Sequence, residues 1–135
     1  VGKDYNEAIK WYTLAADQGL AEAQNNLGTM YEKGWGVQRD FSKAAKWYQR
    51  AAEQGLAIAQ NNIGTMFQTG RGVERDLQKA FSWYEKAAEQ GDMYGQYNLG
   101  WMYENGEGTA RNHEEAVRWY QQAADHGRTE STRVV

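Results

Sequence analysis

Few residues in this chain have the type and spacing that catalysis or metal binding requires. His113 and His126 are its two histidines, and both fall in one segment of helical periodicity. Their positions lie about three to four turns apart on such a helix, too far to share a metal ion within one chain. His113 reads as an exposed helix-start residue and His126 as a cation near a helix C-terminus. Ser42 and Ser82 have no histidine at helical spacing, so neither reads as an activated nucleophile. Gly34-Trp35-Gly36-Val37 and Gly70-Arg71-Gly72-Val73 lack the lysine of a phosphate-binding loop. The chain has no cysteine, which excludes disulfides and thiolate zinc sites. No catalytic, cofactor or metal site is expected.

The amides and aromatics are open to a different chemistry. Asn26, Asn62 and Asn98 recur at one spacing. A ladder of amides, each with a donor and an acceptor end, can pair with the backbone of an extended peptide whatever its side chains. The same ladder can instead bond neighbouring helices and order a stack. Both readings remain open from the residues alone.

That spacing belongs to the whole chain. Gly36, Gly72 and Gly108 are 36 residues apart, as are Trp11-Tyr12, Trp47-Tyr48, Trp83-Tyr84 and Trp119-Tyr120. A fixed period of this size marks a solenoid, in which each unit buries its apolar face against its neighbours. Asp40 is a good N-cap and Gly55 a good stop for a helix in which Ala44, Trp47, Tyr48, Ala51 and Ala52 share a face. Asp4 with Glu7 and Asn112 with Glu115 resemble capping boxes. A second helix carries Gln60, Ile63, Gly64 and Phe67 as its stripe. A mid-helix glycine costs about 1 kcal/mol relative to alanine, so Gly28, Gly64 and Gly100 imply close helix crossings. These signals predict helices at 5–18, 21–33, 41–54, 57–69, 77–90, 93–105 and 113–126, with an eighth beginning after Gly127. The units run roughly over 1–35, 36–71, 72–107 and an incomplete 108–135. The chain opens at Val1, where other units read Gly-Val, and so reads as a fragment of a longer array.

With 41% hydrophobic and 13% aromatic residues a packed core is expected. A net charge of −3, with both signs interspersed, argues against nucleic acid or an anionic membrane surface as the main partner. No run approaches the length of a transmembrane helix.

The pattern Ala-x-Ala-Gln-x-Asn-Leu-Gly-x-Met-Tyr-x-x-Gly-x-Gly-Val, then Asp-x-x-x-Ala-x-x-Trp-Tyr-x-x-Ala-Ala-x-x-Gly, resembles the Sel1-like repeat, a cousin of the tetratricopeptide repeat. Ala21–Gly55 and Ala57–Gly91 fit almost position for position, while the third unit departs at Met93-Tyr94-Gly95. The resemblance implies an all-α fold, a right-handed α/α superhelix of antiparallel helix pairs, acting as an adaptor or scaffold. Bacterial members of the family are often in the cell envelope or secreted, and eukaryotic members serve endoplasmic-reticulum quality control. Some cysteine-rich members are linked to β-lactam binding or hydrolysis, and the paired cysteines of that subgroup are missing here.

In a tetratricopeptide-like stack the Ala-x-Ala-Gln helix lines the concave side. At 100° per residue, Tyr94, Tyr97, Asn98, Trp101 and Asn105 lie opposite the core residues Gln96, Leu99, Gly100 and Tyr103. The matching sets are Ile58, Asn61, Asn62, Thr65 and Thr69, and Glu22, Asn25, Asn26, Thr29 and Lys33. One groove is expected, polar at Glu22, Asn25 and Thr29 and aromatic at Tyr94, Tyr97 and Trp101. Tryptophan and tyrosine favour binding hot spots, although they can equally pack on a following repeat. Trp35, in a loop, is expected to be half-exposed packing. The expected function is a non-catalytic scaffold that holds a protein or peptide in the groove, with self-association through open repeat ends as a further option. A structural spacer is the alternative, and a β-lactam-interacting enzyme a remote one.

Overall fold

The computed structural model describes the backbone of residues 5–134 and the side chains of residues 5–126. Among these it holds seven helices and no strand. They are α1 (Tyr5–Asp17), α2 (Ala21–Lys33), α3 (Phe41–Glu53), α4 (Ala57–Thr69), α5 (Leu77–Glu89), α6 (Met93–Asn105) and α7 (His113–Val134). Each helix packs on the next, and the even-numbered ones pack most extensively on the helix that follows.

The caps work largely as their residue types demand. Asp40 Oδ1 accepts from the Lys43 amide at 3.1 Å, and Asp76 Oδ1 from Lys79 at 3.0 Å. Asn112 does the same for Glu115 at 3.1 Å. The capping box at Asn112 does not form. The cap amide already donates to the Tyr103 carbonyl at 2.9 Å, and Glu115 turns to Arg118 instead. Asp4 lies outside the described residues. The loop after α4 folds back on the start of α3: a Cβ on Gly72, at φ +72, would collide with the Phe41 carbonyl.

Helix α7 departs from expectation, because it runs through Gly127 to Val134 with no eighth helix. At Gly55 the chain turns left-handed, φ 95, and the next helix buries itself on α3. Helical propagation, which adds one backbone hydrogen bond per residue, carries through Gly127 instead.

The mid-helix glycines permit close crossings. A Cβ on Gly64 would lie 2.8 Å from the Tyr84 ring, and one on Gly28 would lie 2.7 Å from the Tyr48 ring. Tyr48 and Tyr84 are fully buried with Ile63, Met66, Leu99 and Met102. A glutamine clamp, which the periodicity did not reveal, ties successive units. Gln54 Nε2 donates to Gly19 O and to the buried Gln24 Oε1, both at 2.9 Å. Gln90 repeats this on Gly55 O and Gln60 Oε1, also at 2.9 Å.

Candidate partner-binding face

The even helices approach one another directly. Helices α4 and α6 are in contact, and asparagine pairs bridge α2 to α4 and α4 to α6. Asn62 Nδ2 donates to Asn25 Oδ1 at 3.0 Å, and Asn98 Nδ2 to Asn61 Oδ1 at 2.8 Å. The ladder is therefore a set of inter-repeat bridges that leaves the Asn62 and Asn98 carbonyl oxygens outside the bond. Asn26, for which the described residues hold no earlier even-numbered helix, is exposed. Asn25 was expected on the open face, and the structure buries it to 6% exposure. The incoming α4 closes over it and supplies an amide to its oxygen, which offsets the cost of burying it.

The aromatic end divides in two. Tyr94 and Tyr97 remain 63% and 55% exposed, and Ile58, in the register of Tyr94, is 49% exposed. Trp101 was expected beside them, but it is half-buried and packs on the main core cluster. Its register explains why. In the earlier units Thr29 and Thr65 stand there, each with its hydroxyl within 3.0 and 2.9 Å of the Tyr48 and Tyr84 hydroxyls. The position faces the next odd helix, and an indole placed there reaches the core.

The threonine contact belongs to a small polar network. The Tyr48 hydroxyl donates to Glu32 at 2.6 Å and that of Tyr84 to Gln68 at 2.7 Å. Burial, with Glu32 adding to it, pushes the Tyr48 hydroxyl far above its usual range. Burial likewise raises Tyr84 to about 12, with the Thr65 hydrogen bond opposing. In the α6/α7 pair this network is replaced. Glu104, the counterpart of Glu32 and Gln68, pairs with His113 at 2.7 Å and Arg111 at 3.7 Å. Tyr120 is half-exposed and its ring lies tilted at 5.4 Å from Tyr97. Around it opens a recess of about 780 Å³, lined by Met93, Tyr94, Tyr97, Tyr120, Ala123 and Ala124. The sequence reading missed Met93, Tyr120, Ala123 and Ala124. The repeated Trp-Tyr and Ala-Ala frame was the available signal, but in α3 and α5 its tyrosine and alanines are core.

Trp35 stacks on Tyr5 with ring centroids 5.3 Å apart and planes 12° apart, and is 38% exposed. Arg71 repeats the contact over Phe41, at 5.4 Å. Among the remaining candidates, Ser42 and Ser82 are exposed on α3 and α5, and His113 is engaged with Glu104. Among the described residues no three potential metal ligands cluster, and no helix is long and apolar enough to cross a membrane.

Comparison with known proteins gives this geometry a family. The Sel1 repeat profile matches residues 1–20, 21–56, 57–92 and 94–127, framing each complete unit from an even helix. A protective antigen of uropathogenic Escherichia coli, described as displaying an SLR fold, is 40% identical over 94% of this chain, with a TM-score of 0.90. A Sel1 repeat protein from Oxalobacter formigenes is 38% identical over 90% of the chain, with a TM-score of 0.85. This chain spans 27% of the first protein's length and 49% of the second's. Cysteine rich protein B of Helicobacter pylori, 24% identical over 98% of this chain and 96% of its own, with a TM-score of 0.70, shares the fold. No curated protein matches the chain. With its repeats covering nearly every residue, the chain belongs to the Sel1 repeat family.

Proposed function

We propose that the chain is a non-catalytic scaffold that holds a peptide or protein segment along the outer face of α2, α4 and α6. Sel1 repeat proteins are generally protein-interaction scaffolds, and the finer reading rests on one observation. Ile58, Tyr94 and Tyr97 stand about half exposed or more on equivalent helices, where these large apolar groups are only partly covered by the described residues. Exposed aromatics in a row favour a partner, because rigid rings contribute contact area at small entropic cost. The Asn62 and Asn98 carbonyl oxygens beside them can accept from a peptide backbone.

A second reading has its own support. The Asn62–Asn25 and Asn98–Asn61 bonds serve the stack itself, as a structural spacer requires. Selection of a random peptide library on the immobilised chain separates the two. The scaffold reading expects enriched peptides whose affinity falls by about 2 kcal/mol in Tyr97→Ala, the scale of a binding hot spot. Asn62→Ala should weaken diverse peptides alike. Failure to enrich any peptide, or equal binding by Tyr97→Ala, would favour the spacer.

A further inference from the structure

Helix α3 presents a row of cations to solvent. Lys43, Lys46 and Arg50 fall at i, i+3 and i+7, and all three are exposed. The loops before α3 and after α4 add Arg39 and Arg71, also exposed. The register belongs to the repeat, but the charge does not. The same three positions read Glu7, Lys10 and Leu14 on α1, and Glu115, Arg118 and Gln122 on α7. On α5 they read Lys79, Ser82 and Lys86, while Glu74 and Glu107 stand in the places of Gln38 and Arg71. A chain of net charge −3 thus gathers positive charge on one unit.

Aromatic rings hold these cations in place. The Arg39 and Arg71 guanidiniums lie 4.6 and 5.4 Å from the centroid of the same Phe41 ring. Arg50 lies 4.7 Å over Trp47, and the Lys43 ammonium 5.4 Å over Tyr31. A ring face attracts a guanidinium but leaves the N–H donors at its edge free. Among the described residues none of these four side chains forms an ion pair or donates a hydrogen bond. Other arginines are engaged within the chain. Arg75 donates to the Gln68 carbonyl at 3.0 Å, Arg118 to Glu115 at 2.9 Å, and Arg111 pairs with Glu104 at 3.7 Å. Two like charges on one ring repel, and an anion set across them relieves that repulsion. Arg39 and Lys43 also line a recess of about 450 Å³ with Tyr31, Val37, Gln38 and Asp40. The Asp40 carboxylate is turned to the Lys43 amide, which Oδ1 meets at 3.1 Å.

We propose that this patch docks an acidic segment of a partner protein, with its carboxylates on Arg39, Arg71 and Lys43. Charge complementarity decides the occupant, because guanidinium forks match carboxylates through paired N–H···O bonds. The extent of the patch decides its length. Glu74 and Glu107 follow on the α5 side, so a long row of phosphates, as in nucleic acid, meets repulsion there. A short run of acids fits within that limit. Helix α3 lies inside the array with a unit described on either side, so a further repeat stacked at either end packs elsewhere. The patch lies where α2 leads into α3 and α4 into α5, whereas Ile58 stands in the first turn of α4, at the other end of that helix. The inference therefore does not rest on the proposed peptide-binding face.

The test follows, by fluorescence anisotropy on the full chain, a short end-blocked peptide of alternating alanine and glutamate, and its glutamine counterpart. The glutamate probe should bind one to one and about ten-fold more tightly than the glutamine probe at low salt, the gap narrowing as ionic strength rises. Arg71→Glu should weaken it about five-fold and Arg39→Gln about three-fold, with unchanged melting curves because both side chains are exposed. Lys86→Gln removes a cation held 4.5 Å over Trp83 outside the patch, and should leave binding unaffected. Equal binding of the two probes, or equal losses in Lys86→Gln and Arg71→Glu, overturns the proposal. Loss of binding in Tyr97→Ala with none in Arg71→Glu would put the probe on the outer face of α6, sinking the patch while the scaffold reading survives. A single-stranded oligonucleotide or an anionic vesicle that binds more tightly than the peptide, and depends on Arg39 and Arg71, would be the occupant instead and overturn the acidic segment.

Discussion

The α4/α5 and α6/α7 pairs share one sequence frame, yet they hold their central tyrosine in different ways. In the first, Tyr84 is sealed, with its ring against Gly64 and its hydroxyl between Thr65 and Gln68. In the second, Gly100 still receives the Tyr120 ring, and a Cβ at that glycine would lie 2.9 Å from it. The polar partners are exchanged: Thr65 becomes Trp101 and Gln68 becomes Glu104, which turns to His113. The backbone register survives because glycine and alanine set it. What the pair offers to its surroundings depends on the few positions that are free to change.

The largest expected effect tests the close crossing. Gly64→Leu should overpack the sealed ring and destabilise by about 3 kcal/mol or more, with Gly100→Leu clearly less because Tyr120 can swing outward. Denaturant melts of the two variants make the comparison, and equal losses would break it. Hydrogen exchange in Gly64→Leu should show damage centred on residues 57–90, since repeats couple mainly to neighbours.

Trp101→Ala comes next. An indole packed on the core but half in water should cost about 2 kcal/mol, below the range for a fully buried one. A melting temperature equal to that of the parent chain would mean that the indole stands with Tyr94 and Tyr97 after all.

Tyr84→Phe removes hydroxyl contacts to Thr65 and Gln68, an expected loss of about 1 kcal/mol. Tyr120→Phe should stay within about 0.5 kcal/mol. A large loss at Tyr120 would show that the second pair has a hydroxyl network of its own.

The smallest effect is alkaline. Burial raises Tyr84 to about 12 and Tyr48 still further, whereas an unfolded tyrosine titrates near about 10. A raised folded value means that the stabilisation is complete below the unfolded value and is lost as pH rises through the folded one. Stability should therefore fall from about pH 10 upward, and Tyr84→Phe should flatten part of that slope. Tyr120, also raised by burial with Tyr97 adding to it, is far less buried than Tyr84, so Tyr120→Phe should change the slope less.

Much of the architecture was legible in the residues. Asp40, Asp76 and Asn112 start α3, α5 and α7, and the bounds of the first six helices match the cap and glycine signals within one residue. These signals act within a few residues of chain, so the sequence displays them directly. The binding face was legible only in outline. Helical angle put Asn25 and Trp101 on the open side, but it describes one helix in isolation and says nothing of the helix that arrives beside it.

The sequence by itself determined the period, the helix pairs and the close approach at Gly64, because each follows from local backbone preference and side-chain size. Tertiary structure alone decided that Asn62 reaches Asn25, that Glu104 leaves the tyrosine for His113, and that α7 runs through Gly127. Each of these depends on which surface comes to lie opposite, and so on the rise and turn between units. That geometry is set by the summed packing of both neighbours, a quantity no single repeat carries.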